Sequence, residues 1–137
     1  MYKAITLIGI LLGLMACQER VKPVVHKSDK LSTPISCMAL NSLSEDQALI
    51  AVLRRQYNFD ERCPLKLTLS YKKDIVCNSS YNAINKNMGK FPKSFLKLEL
   101  RHGMEIVYSY YVDLYSNINQ EDVAEGFTRL KKDLLSK

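Results

Sequence analysis

The most reactive side chains in this 137-residue chain belong to four cysteines, Cys17, Cys37, Cys63 and Cys77. A thiol can be acylated, form a disulfide, bind a metal or act as a nucleophile. No two of these cysteines form a Cys-x-x-Cys pair, and their spacings match no zinc-ligand pattern. The sequence therefore predicts no metal site, and acylation and disulfide formation are the chemistry expected of these thiols.

Cys17 differs from the other three because it follows a short apolar stretch. Lys3 gives the chain a positive start, and residues 4–16 are almost entirely apolar. A positive start, a short apolar run and a small residue before the cleavage site are the parts of an export signal. The run is shorter than the roughly 20 apolar residues that span a bilayer. We therefore assign residues 1–16 to a signal peptide.

The end of this stretch, Leu14-Met15-Ala16-Cys17, resembles the lipobox of bacterial lipoproteins. The resemblance covers the signal alone. It implies cleavage before Cys17, a lipid such as palmitate on its thiol, and acylation of its new amino group. In enterobacterial lipoproteins an Asp after the cysteine favours the inner membrane. Gln18 stands there in this chain, which favours the outer membrane with the domain in the periplasm. The alternatives are an ordinary signal peptide cut near Ala16 and an uncleaved anchor.

Export also changes what is expected of Cys37, Cys63 and Cys77, because disulfides persist outside the cytoplasm. Three thiols can form one disulfide, which leaves one thiol free. A disulfide needs Cα atoms within about 7 Å, and the predicted strands place Cys63 and Cys77 at opposite ends. We therefore expect Cys37 to be one partner, preferably with Cys77, and Cys63 to be free.

The segment from residue 17 to residue 34 is polar and has no apolar periodicity. We interpret it as a flexible tether with an end-to-end distance of about 20–25 Å. Residues 35–137 are enough for one domain. His26 falls within the tether, where a solvated side chain is expected rather than a ligand.

Two segments carry helical signals. Ser44 and Gln47 form a capping box at the start of the first helix, which should end near Tyr57. Asn119 should cap the second helix, which carries four apolar residues at helical spacing: Val123, Phe127, Leu130 and Leu134.

Alternation of apolar and polar residues predicts three main strands, at about 65–71, 95–100 and 104–115. A short hairpin partner at 75–77 would add a fourth. A three-residue loop ending at Gly103 would pair Leu100 with Met104, because this register keeps apolar side chains on one face. The predicted fold is α+β: a small antiparallel sheet of three to four strands, with an N-terminal and a C-terminal helix packed on one face.

The formal net charge is +6, and the basic residues are concentrated between positions 54 and 101. An exported protein does not normally meet nucleic acid, so we expect an acidic protein surface, anionic lipid or anionic polysaccharide as the partner. The outer sheet face and the loop at 78–93 supply the candidate partner-binding residues: Lys66, Lys86, Lys90, Lys93, Lys97 and Arg101. The alternative is a solubilising surface charge that binds no partner.

Groups that could converge on a substrate are scarce. No Ser, Cys or acid has a recognisable base beside it, and His102 lies at a predicted turn. We expect no catalytic activity and no cofactor. The leading hypothesis is a non-catalytic accessory or assembly subunit of an envelope complex for secretion, transport or surface-polymer export. The alternative is an envelope binding module for a lipid or polysaccharide ligand.

Overall fold

The computed structural model of the chain describes residues 21–41, 45–76 and 91–136. Within these ranges, helices and strands form one α+β fold, in agreement with the predicted class. In chain order the elements are β1 (Val24–Lys27), β2 (Ala39–Asn41), α1 (Gln47–Gln56), β3 (Leu65–Lys72), β4 (Ser94–His102), β5 (Glu105–Leu114) and α2 (Gln120–Leu135).

The five strands form one sheet with the order β1-β5-β4-β3-β2. Neighbouring strands are antiparallel except β2, which runs parallel to β3. The prediction of a wholly antiparallel sheet of three to four strands was therefore wrong in the number of strands and in the direction of one. The two missed strands lie at the edges and have four and three residues. Segments this short show no sustained alternation, so the sequence pattern does not reveal them.

Strand β1 lies inside the segment predicted to be a flexible tether. Val24 lies opposite Tyr111 and Lys27 opposite Tyr108, in antiparallel register along β5. Val25 packs against the hydrophobic core. The tether prediction was therefore wrong for residues 24–27, and the folded domain begins before residue 35. The sequence pattern does not indicate this edge strand, because polar residues surround it. The strand forms through its pairing with β5 rather than through a strong β propensity of its own residues.

Helix α1 has Asp46 as its N-cap, not the predicted Ser44. The Asp46 carboxylate accepts hydrogen bonds from the backbone N–H groups of Ala48 and Leu49, at 3.1 and 3.2 Å. Ser and Asp are both good caps, but the negative charge of Asp is also favoured by the helix dipole. Ser44 lies outside the described residues. The helix ends at Gln56, close to the predicted end.

Strand β3 pairs with β4 and not with the hairpin partner predicted at 75–77. Leu69 lies opposite Leu98 and Tyr71 opposite Leu96. The Ile75 N–H instead donates to a carbonyl beyond the predicted hairpin, that of Lys93, at 2.8 Å. Strand β4 is the longer partner and brings more leucines to the buried face, which explains why this pairing is preferred.

The β4–β5 hairpin has a tighter turn than predicted. Only Gly103 and Met104 separate its strands, and Gly103 has the left-handed φ of +60° expected at its position. A bulge between Leu100 and Arg101 shifts the register, so that Leu100 lies opposite Tyr108 rather than Met104. The predicted register was therefore wrong. Alternation identified the buried face correctly for the leucines of β4 and for Tyr108, Tyr110 and Val112. On the turn side of the bulge it was wrong, because the register shift exposes Met104 and Ile106 and buries Val107 instead.

Helix α2 agrees with the sequence prediction. The side chain of its N-cap, Asn119, accepts from the N–H groups of Glu121 and Asp122, and Asp122 completes a capping box. A Cβ on Gly126 would lie only 2.9 Å from the Tyr110 ring, so the helix packs closely on β5 at this point. The predicted apolar stripe is fully buried: Val123, Phe127, Leu130 and Leu134.

One hydrophobic core joins the two helices and the sheet. Helix α1 contacts α2, and α2 contacts β4. The ring of Tyr108 is fully buried in this core, and its hydroxyl donates to Asp133 of α2 at 2.8 Å. The core therefore links the central strands to the C-terminal helix by packing and by a hydrogen bond.

A disulfide joins Cys37 to Cys63, with Cα atoms 5.9 Å apart. The expected participation of Cys37 is confirmed, but the preferred pairing with Cys77 and the free Cys63 were wrong. Cys37 lies just before β2, and Cys63 lies just before β3. Parallel neighbouring strands begin at the same end of a sheet, so strand β2, which the sequence did not reveal, brings these two cysteines together.

Candidate functional site

Three of the predicted basic residues lie together on the sheet face opposite the core side chains. In an antiparallel pair, residues directly opposite each other project from the same side. Lys66 lies opposite Arg101, and Ser70 lies opposite Lys97. We call this surface the polar face and define it by Lys66, Thr68, Ser70, Lys97, Glu99 and Arg101.

Glu99 lies at the centre of the polar face and is only 7% exposed. Arg101 Nε donates a hydrogen bond to Glu99 Oε1 at 2.6 Å. Lys97 Nζ forms an ion pair with Oε2 at 2.5 Å. Burial raises the pKa of the Glu99 carboxyl, but the contacts with Lys97 and Arg101 outweigh burial and hold this pKa below its usual value. The three side chains form one ion-paired unit with a single net positive charge.

The ion-paired unit determines what a partner would meet on the polar face. Lys97 and Arg101 remain partly exposed while the carboxylate between them is covered. Lys66 is exposed and lies opposite Arg101, so it adds a further positive charge at one side. The polar face therefore presents cations whose positions are set by a buried anion.

An aromatic pair borders the ion-paired unit. Phe95 and Tyr111 stack with ring centroids 5.6 Å apart and planes inclined by 28°. Tyr111 lies opposite Lys97, and its hydroxyl donates to Asp113 Oδ1 at 2.7 Å. This hydrogen bond is the main cause of a raised pKa at Tyr111. Phe95 was not among the predicted site residues, although the alternation that places Lys97 on this face also places Phe95 there.

A row of polar residues continues the polar face across the sheet. Glu99 lies opposite Ser109, and Ser109 lies opposite His26 of β1. On the other side Thr68 lies opposite Asn41, whose amide nitrogen lies 3.5 Å from the Thr68 hydroxyl. His26 is therefore an exposed residue of an edge strand and not of a tether.

The remaining candidates do not join the polar face in the described part of the chain. Lys93 is exposed at one end of the sheet, where its backbone N–H donates to the Leu114 carbonyl at 2.8 Å. His102 is exposed beside the β4–β5 turn. Four candidates lie outside the described residues, and their roles stay predictions: Cys17, Cys77, Lys86 and Lys90.

Two adjoining clefts lie along the β2 edge, and the sequence did not predict them. Their volumes are about 190 and 270 Å³, and Leu40 and Glu61 line both. Tyr57 and Phe59, which line the first cleft, pack edge to face with ring centroids 5.0 Å apart. Both clefts are smaller than the roughly 300–1,000 Å³ typical of small-molecule sites, so each would hold a single side chain or chemical group.

Comparisons with models of protein families, with curated proteins and with solved structures found no match. Within residues 21–41, 45–76 and 91–136, no cluster of three His, Cys, Asp or Glu side chains could hold a metal ion. No helix in the same ranges is long and apolar enough to cross a membrane.

Proposed function

We propose that this protein is a bacterial lipoprotein anchored to the outer membrane through acylated Cys17, with its domain in the periplasm. In this proposal it is a non-catalytic accessory or assembly subunit of an envelope complex, and it holds a partner protein with an acidic surface against the polar face. The lipobox resemblance of Leu14-Met15-Ala16-Cys17 supports the anchor. The charges of the polar face support the partner.

The observation that carries the binding role is the ion-paired unit around Glu99. Long cationic side chains lose conformational freedom when they bind, and this loss weakens association. Glu99 already holds Lys97 and Arg101 in place, so less freedom remains to be lost. Fixed cations also attract an acidic surface and accelerate its docking. In the proposed arrangement both helices cover the other face of the sheet and leave the polar face accessible.

A photo-crosslinking amino acid placed at position 66 of the full chain tests this role. Lys132 is the matched control, because it is an exposed lysine on α2, away from the polar face. We expect one defined envelope protein to crosslink at position 66 and not at position 132. Lys66→Glu should reduce recovery of that protein several-fold, and added salt should reduce it further, whereas Lys132→Glu should leave recovery unchanged. Equal crosslinking at the two positions would exclude the polar face as the docking surface.

The Phe95–Tyr111 pair favours a second candidate function, an envelope module that binds an anionic polysaccharide. Its partly buried rings lie beside Lys97 and offer an apolar surface next to a cation, a combination that suits an acidic sugar. Co-purification of polysaccharide with the native chain but not with a folded Phe95→Ala variant would support this function over the first.

A further inference from the structure

Both ends of the sheet expose apolar side chains, but different segments of the chain supply them. Strand pairing brings together the start of β1, the end of β3, the start of β4 and the end of β5. We call this the anchor end. The opposite end, called the hairpin end, carries the β4–β5 turn with Met104, which is 91% exposed.

The anchor end carries exposed apolar side chains from three separate segments. Val76 is 70% exposed, Phe91 50% and Tyr115 42%. Backbone hydrogen bonds hold these segments side by side, because Ile75 N–H donates to the Lys93 carbonyl and Lys93 N–H donates to the Leu114 carbonyl. Exposed apolar groups brought to one end of a domain in this way are typical of a contact surface.

The direction of β1 leads the N-terminal chain to the same end. Val24 lies opposite Tyr111 and β1 is antiparallel to β5, so the residues before Val24 run toward the anchor end. Val21 is partly buried against the core and fixes the chain there. Four residue steps separate Val21 from Cys17, a reach of at most about 14 Å in an extended chain. An acylated Cys17 would therefore hold the anchor end close to the membrane surface.

The anchor end also carries exposed lysines, which can pair with the headgroups of anionic lipids. Lys22, Lys72 and Lys93 are exposed there. Exposed acids lie there as well, Glu45, Asp74 and, in the first turn of α2, Glu121, while the carboxylate of the α1 cap is paired with Lys73 at 3.1 Å. Lysine beside aromatic and aliphatic groups is the composition of surfaces that lie in the membrane interface.

We propose that the anchor end rests on the membrane, with Val76, Phe91 and Tyr115 in the headgroup region and the three exposed lysines on anionic phospholipid. The inference rests on the proposed acylation of Cys17 and adds a fixed orientation to it. The domain sits on its anchor end and directs the hairpin end away from the membrane, while the polar face stands to the side, free for a partner.

Site-specific tryptophan fluorescence in vesicles tests this orientation. The chain has no tryptophan, so a single introduced one is an unambiguous reporter. Tyr115→Trp and Phe91→Trp report the anchor end, and Met104→Trp is the matched control at the hairpin end. Each acylated full chain is purified in detergent and reconstituted into phosphatidylcholine vesicles with or without phosphatidylglycerol. Half of each preparation carries a spin-labelled lipid that quenches tryptophan near the headgroups.

We expect quenching at positions 115 and 91 to exceed that at position 104 about twofold or more, and to increase with phosphatidylglycerol. Lys72→Glu with Lys93→Glu should reduce the difference, and Lys132→Glu should not. Equal, weak quenching at all three positions in acylated, vesicle-bound protein would overturn the orientation and leave the proposed lipoprotein intact. Absence of acyl groups on Cys17 by mass spectrometry would refute both.

Discussion

Among single residues, Glu99 has the largest influence on the chemistry of the polar face. A carboxylate that is almost completely covered is unfavourable unless cations pair with it, and here Lys97 and Arg101 do so from positions two residues away on either side. Without the carboxylate the two cations would repel each other and lose their fixed positions. The same residue therefore stabilises the fold and arranges the groups proposed to meet a partner.

Glu99→Gln should lower the free energy of unfolding by about 1–3 kcal/mol at neutral pH, because it removes a charge-assisted hydrogen bond and an ion pair. The folded-state pKa of Glu99 lies below the ordinary value of 4.5. Its stabilisation is therefore fully present above about pH 4.5 and is lost as pH falls through the folded-state pKa. Urea unfolding of the native chain and of the Glu99→Gln variant across this pH range should show that the difference between their free energies of unfolding becomes smaller toward low pH.

Glu105→Gln is the matched control, because Glu105 forms an exposed ion pair with Lys30 at 3.3 Å. It should change the free energy of unfolding by less than about 0.5 kcal/mol. Similar decreases in the free energy of unfolding of the two variants would show that the buried ion pairs of Glu99 stabilise the fold no more than an exposed ion pair does.

The sequence could predict part of this site and not the rest, for a physical reason. Period-two alternation is local, so it correctly placed Lys66, Lys97 and Arg101 on one face. It could not predict that Glu99 is covered, because Glu99 lies in a central strand between Thr68 of β3 and Ser109 of β5. Exposure depends on such neighbours, and a pattern along one strand does not contain them.

Among the elements, strand β2 controls the position of both bridged cysteines. The parallel β2–β3 pair sets Cys37 and Cys63 at the same end of the sheet, and the disulfide closes a separation of 26 residues. A loop of this length corresponds to about 3–4 kcal/mol of stabilisation in the chain-entropy account.

Replacing both Cys37 and Cys63 by Ser should therefore lower the free energy of unfolding by about 3–4 kcal/mol, measured by urea unfolding. Reducing agent should destabilise the native chain by a similar amount and leave the double variant unaffected. Peptide mapping without reduction should recover a peptide linked through Cys37 and Cys63. A peptide that links Cys37 to Cys77 instead would contradict the structure.

Helix α2 gives a second prediction at this scale, at Gly126. Alanine normally stabilises a helix interior by about 1 kcal/mol relative to glycine. Here the added Cβ would meet the buried Tyr110 ring at 2.9 Å and Leu96 at 3.4 Å. We expect Gly126→Ala to lower the melting temperature, because a ring packed in the core cannot move away without disturbing its neighbours. Adding Tyr110→Leu should recover part of the loss caused by Gly126→Ala, relative to Tyr110→Leu alone.

Elements with strong local signals were the predictable ones. Helix α2 carries its own cap and a complete apolar stripe, and β3 alternates over its whole length. Strands β1 and β2 depend on partners that are distant in the sequence, and the β4–β5 register depends on a bulge. Neither feature produces a periodic pattern of apolar residues in the sequence. The missed disulfide follows from the missed β2.

For the whole molecule, the short distance between the proposed anchor and the folded domain matters most. A flexible tether of about 20–25 Å would let the domain stand away from the membrane. Strand β1 reduces the length of free chain, because the chain is already fixed at Val21 and Val24. A lipid on Cys17 would therefore restrict both the position and the orientation of the domain. The anchor would then also determine the direction in which the polar face is exposed to a partner.

The anchor itself is tested by Cys17→Ser. Acylation needs the thiol, and cleavage of a lipoprotein signal follows acylation, so the variant should neither incorporate a fatty-acid analogue nor lose its signal. Several acyl chains on one residue hold a protein far more firmly than the marginal binding of a single chain, so the native chain should remain with membranes after a salt wash. Gln18→Ala is the control and should be labelled normally. Equal labelling of the native chain and Cys17→Ser would refute the anchor, and with it the orientation inferred from the short connection to β1.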